Sequence, residues 1–484
     1  MQVITVNPGC AHSLQDALDK ACPGDVVLLL AGEHRSRATL RYGGRPGVPV
    51  TIRGEPGAVL VGQPLANPPD DLYREGVDGL PSLGSWAFLT ILRCGHVAIV
   101  DLEMRDCWPT GIYIEDSWDV SVQHVAIDGG AYPIFARDTQ SKSPCTRGIA
   151  VRNSSWVQDK RLWHDLEWKD VHHDPGKHVH LNGAMLGTAD VLGDIVFCDN
   201  EVSDAFNALR FDISERLERE CPEEVARRNR NIFVYGNKFR RIRDNVLEPE
   251  FWAFNLHFHR NLVVDAHAPL SLDGVGGGYW YVYGNIFRFE TRQGSAGQKQ
   301  RGGKIIKLAV YPNHPRRNWY VLNNSFYCRS SVFGDGEEAD VPIWNLTVHD
   351  NAIACGIPDA HRPVPGDGPV CQPFIDAFGA AFVPRGDTEF AGTLTNLASW
   401  PIGIHKMKLS EERAVCLDAA SPIFEDAPRG DMRLRPGIPG RGVGGKLRIR
   451  MPGEEWFDWP AGLDIGAEQS GEPSLPRLPM RSVA

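Results

Sequence analysis

Short segments in the middle of the chain alternate apolar and polar residues with a period of two. This is the pattern of strands that bury one face. Four segments share the same arrangement: residues 207–212, 245–250, 268–273 and 304–309. If these strands stack in parallel, their outward residues form columns of carboxylates and cations on one face. That face is the candidate active site.

A second pattern repeats around these strands. The motif apolar-x-x-Asn-x-apolar recurs from Phe197 to Ile353, and three earlier copies centred on Leu102, Val125 and Leu166 lack the asparagine. The asparagines of the motif are Asn200, Asn237, Asn261, Asn285, Asn324 and Asn351. The spacing predicts a solenoid with a minimal coil of about 24 residues and with asparagines stacked in its turns.

Each interval between these marks contains one further strand. The predicted strands are residues 112–115, 149–152 and 179–182, the four segments above, and residues 332–335. The pattern predicts an all-β fold: a right-handed parallel β-helix with an N-terminal helix cap and a Pro/Gly-rich C-terminal cap. The predicted divisions are 1–356 for the β-helix with its cap, 357–470 for C-terminal coils and capping, and 471–484 for a disordered tail.

The start of the chain predicts a helix followed by a strand. Leu14, Ala17 and Leu18 share one helical face, and an apolar run at 26–30 follows a Pro-Gly-Asp turn. This opening resembles the cap and first coils of the pectate lyase-like superfamily, especially polysaccharide lyases of the chondroitinase B and alginate lyase type. The residues that carry the resemblance are 13–18, Pro23-Gly24-Asp25, Ala31-Gly32-Glu33 and 49–54.

Composition narrows the partners and the compartment. The 484 residues carry a net charge of −10 without any Lys/Arg run, which argues against a nucleic-acid surface. The 11 cysteines lack a CxxC pair, so buried free thiols are expected rather than a disulfide framework or a zinc site. Since no apolar run reaches membrane-spanning length and no signal peptide is present, the chain as written predicts a cytoplasmic protein, or a secreted or periplasmic one whose leader has been removed.

The outward positions of the repeated strand form two predicted columns. The first column is Tyr113, Ala150, His180, Arg210, Glu248, Ser271 and Lys307, and the second is Glu115, Arg152, Asn182, Asp212, Glu250, Asp273, Ala309 and Asp335. Like charges on neighbouring strands are destabilising, so these acids require a proton, a cation or a function. Asp212, Glu248 and Glu250 are the candidate ligands of a Ca²⁺ ion. A solvated polar face neutralised by Arg210 and Lys307 is the alternative.

Resemblance to the chondroitinase B-like lyases bears on the same residues. It implies Ca²⁺ binding through an asparagine on one coil and a Glu-x-Glu on the next, and Glu248-Pro249-Glu250 matches that motif. The resemblance also implies a catalytic Lys and a catalytic Arg, which are not matched. Asn255 stands where the Lys is expected, and Ser271 with Asp273 where the Arg is expected.

Two mechanisms on an acidic polysaccharide or oligosaccharide remain open. In β-elimination, Lys307 or His180 would be the base and Arg210 would stabilise the enolate. In hydrolysis, Asp212 and Glu250 would lie about 5 Å apart, or Asp212 and Asp273 about 9.6 Å apart, as retaining and inverting pairs require. A solenoid that binds glycans without catalysis is the third possibility.

Neighbouring residues are candidates for substrate contact. His178, Asn182, Trp252 and Ser271 are predicted to bind substrate, and the histidine-rich stretch 172–180 could alternatively bind a metal. The insertions 213–231 and 290–303 are expected to wall the groove. His257 and His259 alternate with apolar residues and are predicted to face outward on another sheet.

Overall fold

The protein is described here by a computed structural model. The described residues are 1–10, 13–62, 87–172, 178–273, 275–288, 305–309, 316–328, 333–335, 341–355, 382–385, 389–391, 394–395, 415–416, 423–453, 455–469 and 474–480. The chain divides into two compact units, Met1–Asn229 with Arg240–Glu248 (unit 1) and Arg230–Phe239 with Pro249–Ala484 (unit 2). Each unit consists of coils of parallel strands, so the predicted right-handed parallel β-helix is confirmed. The predicted boundaries at 356 and 470 stay predictions.

The sheet of unit 1 that carries the candidate site is called the site sheet. Its strands are Ala38–Leu40, Leu89–Leu92, Ile112–Glu115, Ile134–Arg137, Leu186–Ala189, Leu209–Asp212 and Leu247–Pro249, the last of which leaves unit 1 at its final residue. In register, Ile112, Ile134, Leu186 and Leu209 form one inward column, and each is fully buried. Burial of each such side chain contributes about 1.5–3 kcal/mol.

The other walls of the unit 1 coils belong to the large parallel sheet. These strands are Val3–Val6, Val26–Leu29, Gly32–His34, Val50–Gly54, Ala58–Val61, Gly95–Arg105, Trp118–Asp128, Arg147–Arg152, Ser155–Val157, Gly193–Cys198 and Glu201–Ala205, with Lys238–Ile242 lying partly in unit 2. The long strand Gly95–Arg105 bends at Asp101, which has φ 57° in the left-handed region, and Asn153 with φ 48° adopts the same conformation between Arg147–Arg152 and Ser155–Val157. Asp and Asn tolerate this conformation better than other non-glycine residues.

Helices in unit 1 are short. They are Ser13–Lys20, Arg161–His164, Trp168–His172, Glu215–Glu220 and Pro222–Val225, with a 3₁₀ turn at Val179–Leu181. Leu14, Ala17 and Leu18 of the first helix are buried, which confirms the predicted N-terminal cap. No described helix is long and apolar enough to cross a membrane. Each cysteine whose side chain is described is a free thiol, as predicted, but Cys10 and Cys22 are exposed rather than buried.

Three sequence predictions about the coils of unit 1 are wrong. Arg147–Arg152 belongs to the large sheet, and residues 179–181 form a 3₁₀ turn; the site-sheet strands of these coils are Ile134–Arg137 and Leu186–Ala189. The motif copy centred on Leu166 lies among short helices. In this coil Ser154 occupies the position of the ladder residue, because its amide donates to Asn200 Oδ1 at 2.9 Å. An insertion without asparagine therefore shifted the predicted frame.

Unit 2 continues the same plan. Its strands are Arg230–Tyr235, Trp252–His259, Leu262–Ala266, Leu270–Asp273, Gly276–Tyr283, Ile286–Arg288, Ile306–Ala309, Arg316–Leu322, Ser325–Cys328, Phe333–Asp335, Val341–His349, Ala352–Cys355, Phe382–Arg385, Glu389–Ala391, Leu394–Thr395 and Val415–Cys416. Two antiparallel hairpins follow, Phe424–Asp426 with Asp431–Leu434 and Leu447–Arg450 with Trp456–Trp459, and a 3₁₀ turn spans Ala427–Arg429.

The predicted asparagine ladder is confirmed in unit 2. Asn237 Nδ2 donates to Asn261 Oδ1 at 3.0 Å, and the same bond joins Asn261 to Asn285, Asn285 to Asn324 and Asn324 to Asn351. The amide groups are buried, so each bond satisfies donors and acceptors that would otherwise be costly to desolvate. The ladder therefore fixes the register of the coils.

His257 and His259 lie on the outer face of the large sheet in unit 2, as the alternation predicted, and this face is covered. Both side chains are fully buried against tyrosine rings. The centroids of His257 and Tyr281 are 4.5 Å apart with the rings tilted, and those of His259 and Tyr283 are 4.6 Å apart with the rings stacked. Residues 474–480 contribute to this cover, although disorder was predicted for the tail. Leu478 N donates to the Tyr283 hydroxyl at 3.2 Å, and the Leu478 side chain is buried.

Acid should weaken unit 2 through these two histidines. Burial lowers the pKa of His257 to about 3 and that of His259 well below its ordinary value of 6.5. Below about pH 6.5 the unfolded chain therefore binds protons that the folded chain does not, and stability falls by up to about 1.4 kcal/mol per pH unit per histidine. Calorimetry between pH 7 and 4.5 should show a smaller fall in Tm for His257→Phe than for the wild type.

The exposed His124 provides the control for this experiment. His124→Gln should leave the dependence of Tm on pH unchanged. An equal slope for His257→Phe and the wild type would contradict the prediction.

Candidate active site

The turns that precede the site-sheet strands pack on one another and carry polar groups of the site. Tyr132 N donates to Pro109 O at 3.0 Å, and Asn207 N donates to Gly183 O at 3.0 Å. Asn245 N donates to Asn207 Oδ1 at 2.9 Å. Because main-chain atoms take part in each bond, the stacked turns fix Tyr132 and Asn207 at the amino ends of their strands.

Arg210 and Glu248 lie side by side on the outward face of the site sheet. Leu209 N donates to Val246 O at 3.0 Å, which places Arg210 opposite Glu248. Arg210 Nε lies 3.8 Å from Glu248 Oε2, and Asn207 Nδ2 lies 3.3 Å from the same oxygen. The side chains of Arg210 and Glu248 are 27% and 17% exposed. An ion pair this accessible adds at most about 1 kcal/mol to stability, so its main consequence is a fixed pattern of charge.

Tyr132 reaches Arg210 from the turn beside the sheet. The Arg210 guanidinium donates a hydrogen bond to the phenol oxygen. The tyrosine ring packs edge-on against Phe135, with ring centroids 5.3 Å apart, and lies over Gly187. A Cβ at position 187 would lie 2.5 Å from Tyr132 Cδ1. Glycine therefore leaves the space that the tyrosine ring fills.

The surroundings of Tyr132 keep its phenol protonated. Burial raises the pKa of Tyr132 above its ordinary value; the charge of Arg210 opposes this shift, and the carboxylates of Asp212 and Glu248 add to it. The same interactions place both carboxylates within electrostatic reach of the phenol. Unit 1 thus combines a proton donor, a cation and two acids on one surface.

Outward residues of the site sheet form two rows across the coils. In register, the first row is Tyr113, Phe135, Gly187 and Arg210, and the second is Glu115, Arg137, Ala189 and Asp212. Tyr113 and Phe135 stack with centroids 6.1 Å apart. Glu115 and Arg137 carry opposite charges on adjacent strands, as favourable cross-strand pairs do. Asp212 lies on the same face as Arg210, two residues farther along the strand.

Several residues predicted for these rows lie elsewhere. Phe135 and Arg137 occupy the positions predicted for Ala150 and Arg152, and Gly187 and Ala189 occupy those predicted for His180 and Asn182. The physical reason is the register. The strand predicted at 179–182 is a 3₁₀ turn inserted before the true strand.

His180 and His178 lie in that turn, next to Trp108. The rings of His180 and Trp108 meet edge-on with centroids 6.1 Å apart, and those of His180 and His178 are 5.7 Å apart. Among the described residues, His178 Nδ1 and Asn182 Oδ1 are buried atoms without a hydrogen-bond partner. Both remain predicted contacts for polar substrate groups, and His173 lies outside the described residues.

The other predicted site residues belong to unit 2. Ser271 is in register with Lys307 and Asp273 with Ala309, as predicted. Ser271 is only 2% exposed, however, and is not an accessible contact here. The side chain of Asp273 lies outside the description. Phe333–Asp335 is displaced by one residue from the predicted frame, because Asp335 pairs with Leu308.

Glu250 and Trp252 lie at the start of unit 2, where Trp252 N donates to Glu250 O at 2.7 Å. The indole Nε1 of Trp252 is buried and has no hydrogen-bond partner among the described residues. Both residues stay predictions as catalytic and sugar-binding groups. Loop 290–303 lies outside the described residues, whereas 213–231 contains the two short helices that end at Glu220 and Val225.

Calcium binding receives no support from the geometry of unit 1. Glu248 already accepts a hydrogen bond from Asn207 and lies beside the Arg210 cation, which would repel a second positive charge. In the described part of the chain, no three His, Cys, Asp or Glu side chains are grouped to hold a metal ion. Calcium at Asp212, Glu248 and Glu250 stays a prediction, and no chemical step below depends on it.

Sequence reasoning missed Tyr132 and Gly187. The alternation in Pro133-Ile134-Phe135-Ala136-Arg137 was an available strand signal. Tyr132 itself lies in a turn, outside any alternating pattern, and its role depends on the empty space above Gly187. That space is visible only once the two coils are in register.

Comparison with known proteins gives no family assignment. No protein-family model and no curated protein matches the chain. Similar solved structures include a mannuronic acid-specific polysaccharide family 6 lyase from human gut microbiota (12% identity, TM-score 0.43, covering 86% of this chain and 91% of that one). A second is a family 28 exopolygalacturonase of Yersinia enterocolitica (11% identity, TM-score 0.39, covering 80% of this chain and 78% of that one). A third is a GH136 lacto-N-biosidase of Eubacterium ramulus (11% identity, TM-score 0.46, covering 80% of this chain and 68% of that one). Because every one of these TM-scores is below 0.5, the likenesses carry no information about the reaction.

A methyl group at position 187 should disturb Tyr132 specifically. Gly187→Ala places Cβ 2.5 Å from the ring of Tyr132 and 2.8 Å from that of Phe135. Overpacking of this kind costs about 1–3 kcal/mol, which denaturant unfolding would measure. In a Tyr132→Ala background the cost should fall by at least about half, because the nearer clash is removed. An undiminished cost in that background would contradict the proposed packing.

Proposed function

We propose that this protein degrades an acidic, uronate-containing polysaccharide or oligosaccharide by β-elimination on the outward face of the site sheet. One observation carries the proposal: a partly exposed arginine, Arg210, lies between a protonated phenol, Tyr132, and a carboxylate, Glu248. The arrangement offers charge recognition and proton transfer on a surface long enough for a chain-like substrate.

Arginine is suited to the demanding part of this reaction. Removal of the proton α to a uronate carboxylate creates an enolate, whose added charge must be stabilised. Arg210 would meet the substrate carboxylate with its planar N–H groups. Glu248 and Asn207 hold the guanidinium side of the site in place. Since these groups are preorganised, little reorganisation is needed when the charge develops.

His180 is the base favoured by its location. It belongs to unit 1, and its turn leads into Gly183, whose carbonyl accepts the Asn207 amide. A neutral imidazole can accept the α-proton in the range where uronates are ionised. Lys307, the other predicted base, lies in unit 2 beside Ser271. The choice between them is open to direct test.

Hydrolysis remains a second candidate because two carboxylates act on Tyr132. Asp212 and Glu248 both raise the pKa of the phenol, so both approach the same point of the surface. A hydrolase needs one of them protonated as a general acid. Glu248 beside Arg210 favours the ionised form instead. This charge pattern supports the lyase over the hydrolase, and glycan binding without catalysis is the remaining alternative.

The first prediction from this proposal concerns the product and Arg210. Incubation with a panel of uronate polysaccharides should give unsaturated ends, detected by the ultraviolet absorbance of the new C4=C5 double bond. Arg210→Gln should lower kcat/KM by about 10²–10³, since one preorganised stabiliser of the developing charge is lost. Arg53→Gln, which removes an exposed arginine paired with Asp101 on the large sheet, is the matched control and should retain activity.

Reducing ends without double-bond absorbance would identify a hydrolase. Binding of the same polysaccharides without either product would rule out an enzyme. A normal rate for Arg210→Gln would remove Arg210 from the mechanism.

The second prediction separates the two bases. His180→Gln should lower kcat by about 10²–10⁴ and remove the acid limb of the pH–rate profile, because a general base is lost. His164→Gln, at an exposed helix end, controls for the loss of a nearby imidazole. A large loss in Lys307→Met together with a normal His180→Gln would transfer the role to Lys307.

A further inference from the structure

We infer that Tyr132 is the catalytic acid of this site and protonates the leaving glycosidic oxygen. The inference rests on the proposed β-elimination and adds the residue that completes it. Sequence patterns did not indicate Tyr132, because the residue projects from a turn onto the sheet. Its geometry, hydrogen bonding and surroundings each support the assignment.

Position is the first support. The Tyr132 amide is bonded to Pro109 O, the ring packs against Phe135, and the space over Gly187 admits it. These contacts fix the phenol on the outward face next to Arg210. The residue as a whole is partly exposed on that face, which is where the proposal places the substrate.

Hydrogen bonding is the second support. A guanidinium can only donate, so the Tyr132 oxygen accepts from Arg210 and its own O–H proton is directed elsewhere. The phenol proton is therefore not engaged by Arg210, and in the proposal it is the proton given to the leaving oxygen. After proton transfer, the phenolate would lie next to the Arg210 cation, which stabilises the new charge.

Charge is the third support. Burial and the carboxylates of Asp212 and Glu248 keep the phenol protonated in its resting state. An acid must hold its proton until the leaving group needs it. Any tyrosine would hold its proton at neutral pH. Tyr132 differs because the adjacent arginine stabilises the phenolate and so makes release of the proton less costly.

The step balances without any further reactant. The base takes the proton on C5 of the uronate, the electron pair forms the C4=C5 double bond, and the C4–O4 bond breaks. O4 takes the bond electrons and the Tyr132 proton. The base then returns a proton to the phenolate through solvent, which restores the enzyme.

Tyr132→Phe tests the inference with two kinds of substrate. On a polysaccharide the variant should lose about 10²–10⁴ in kcat, the usual contribution of a general acid. On a uronide that carries 4-nitrophenol at O4 it should lose much less, because nitrophenolate leaves without protonation. Tyr113→Phe is the matched control, since Tyr113 lies in the same row and donates to Glu115 at 3.1 Å.

The outcomes separate this inference from the proposed function. If the wild type forms no unsaturated product, the proposed β-elimination and the acid both fail. If the wild type forms it and Tyr132→Phe stays within about three-fold on both substrates, the lyase stands and the acid is overturned. An equal loss on both substrates also overturns the acid, because it indicates a packing role.

A second measurement covers the case in which Tyr132→Phe does not fold. Fluorotyrosine incorporated at position 132 keeps the hydroxyl and makes it more acidic. The alkaline limb of the kcat profile should then move to lower pH, since this limb reports loss of the acid's proton. An unmoved alkaline limb would overturn the assignment.

Discussion

In-register parallel stacking of coils is the constraint on which the rest of this structure depends. Neighbouring strands lie about 4.8 Å apart, so each residue lies directly over its counterpart on the next coil. Inside, this produces continuous apolar columns such as Ile112 to Leu209. In the turns of unit 2 it produces the asparagine ladder, in which each amide satisfies the next. On the outside, it requires neighbouring side chains to be compatible in charge and size.

The candidate site is a consequence of that requirement. Arg210 can lie beside Glu248 because opposite charges stack favourably, whereas two acids in direct register would repel. One coil before Arg210, Gly187 has no side chain, and the space is filled by a ring that comes from a different turn. The stacking thus brings Tyr132 and Arg210 together although 78 positions of sequence numbering separate them. A rigid scaffold is what allows such distant residues to share one reaction surface.

The same constraint explains the outer face of unit 2. A solenoid sheet has an outward face that must be polar or covered. There the outward columns contain His257, His259 and tyrosines, and the hairpin of Leu447–Arg450 with Trp456–Trp459 and residues 474–480 pack over them. Two neutral imidazoles are buried as a result, so the stability of this part of the chain is tied to pH. The apolar residues of the tail have a structural role rather than a merely terminal one.

Local pattern alone determined the fold class, the N-terminal cap, the asparagine ladder and the alignment of Ser271 with Lys307. Each of these depends on periodicities that a strand or helix imposes within a few residues. Local pattern also identified Arg210, Asp212 and Glu248 as an outward polar group, because their strands are adjacent repeats without an intervening change of frame. The predicted alignment failed where insertions intervene. Both 149–152 and 179–182 alternate in sequence, but the first belongs to the large sheet and the second contains a 3₁₀ turn. Only the tertiary structure decided that the Tyr132 ring lies over Gly187, a residue without a side chain, and therefore that Tyr132 contacts Arg210. The space above a glycine cannot be recognised from sequence, because the residue that fills it belongs to another coil.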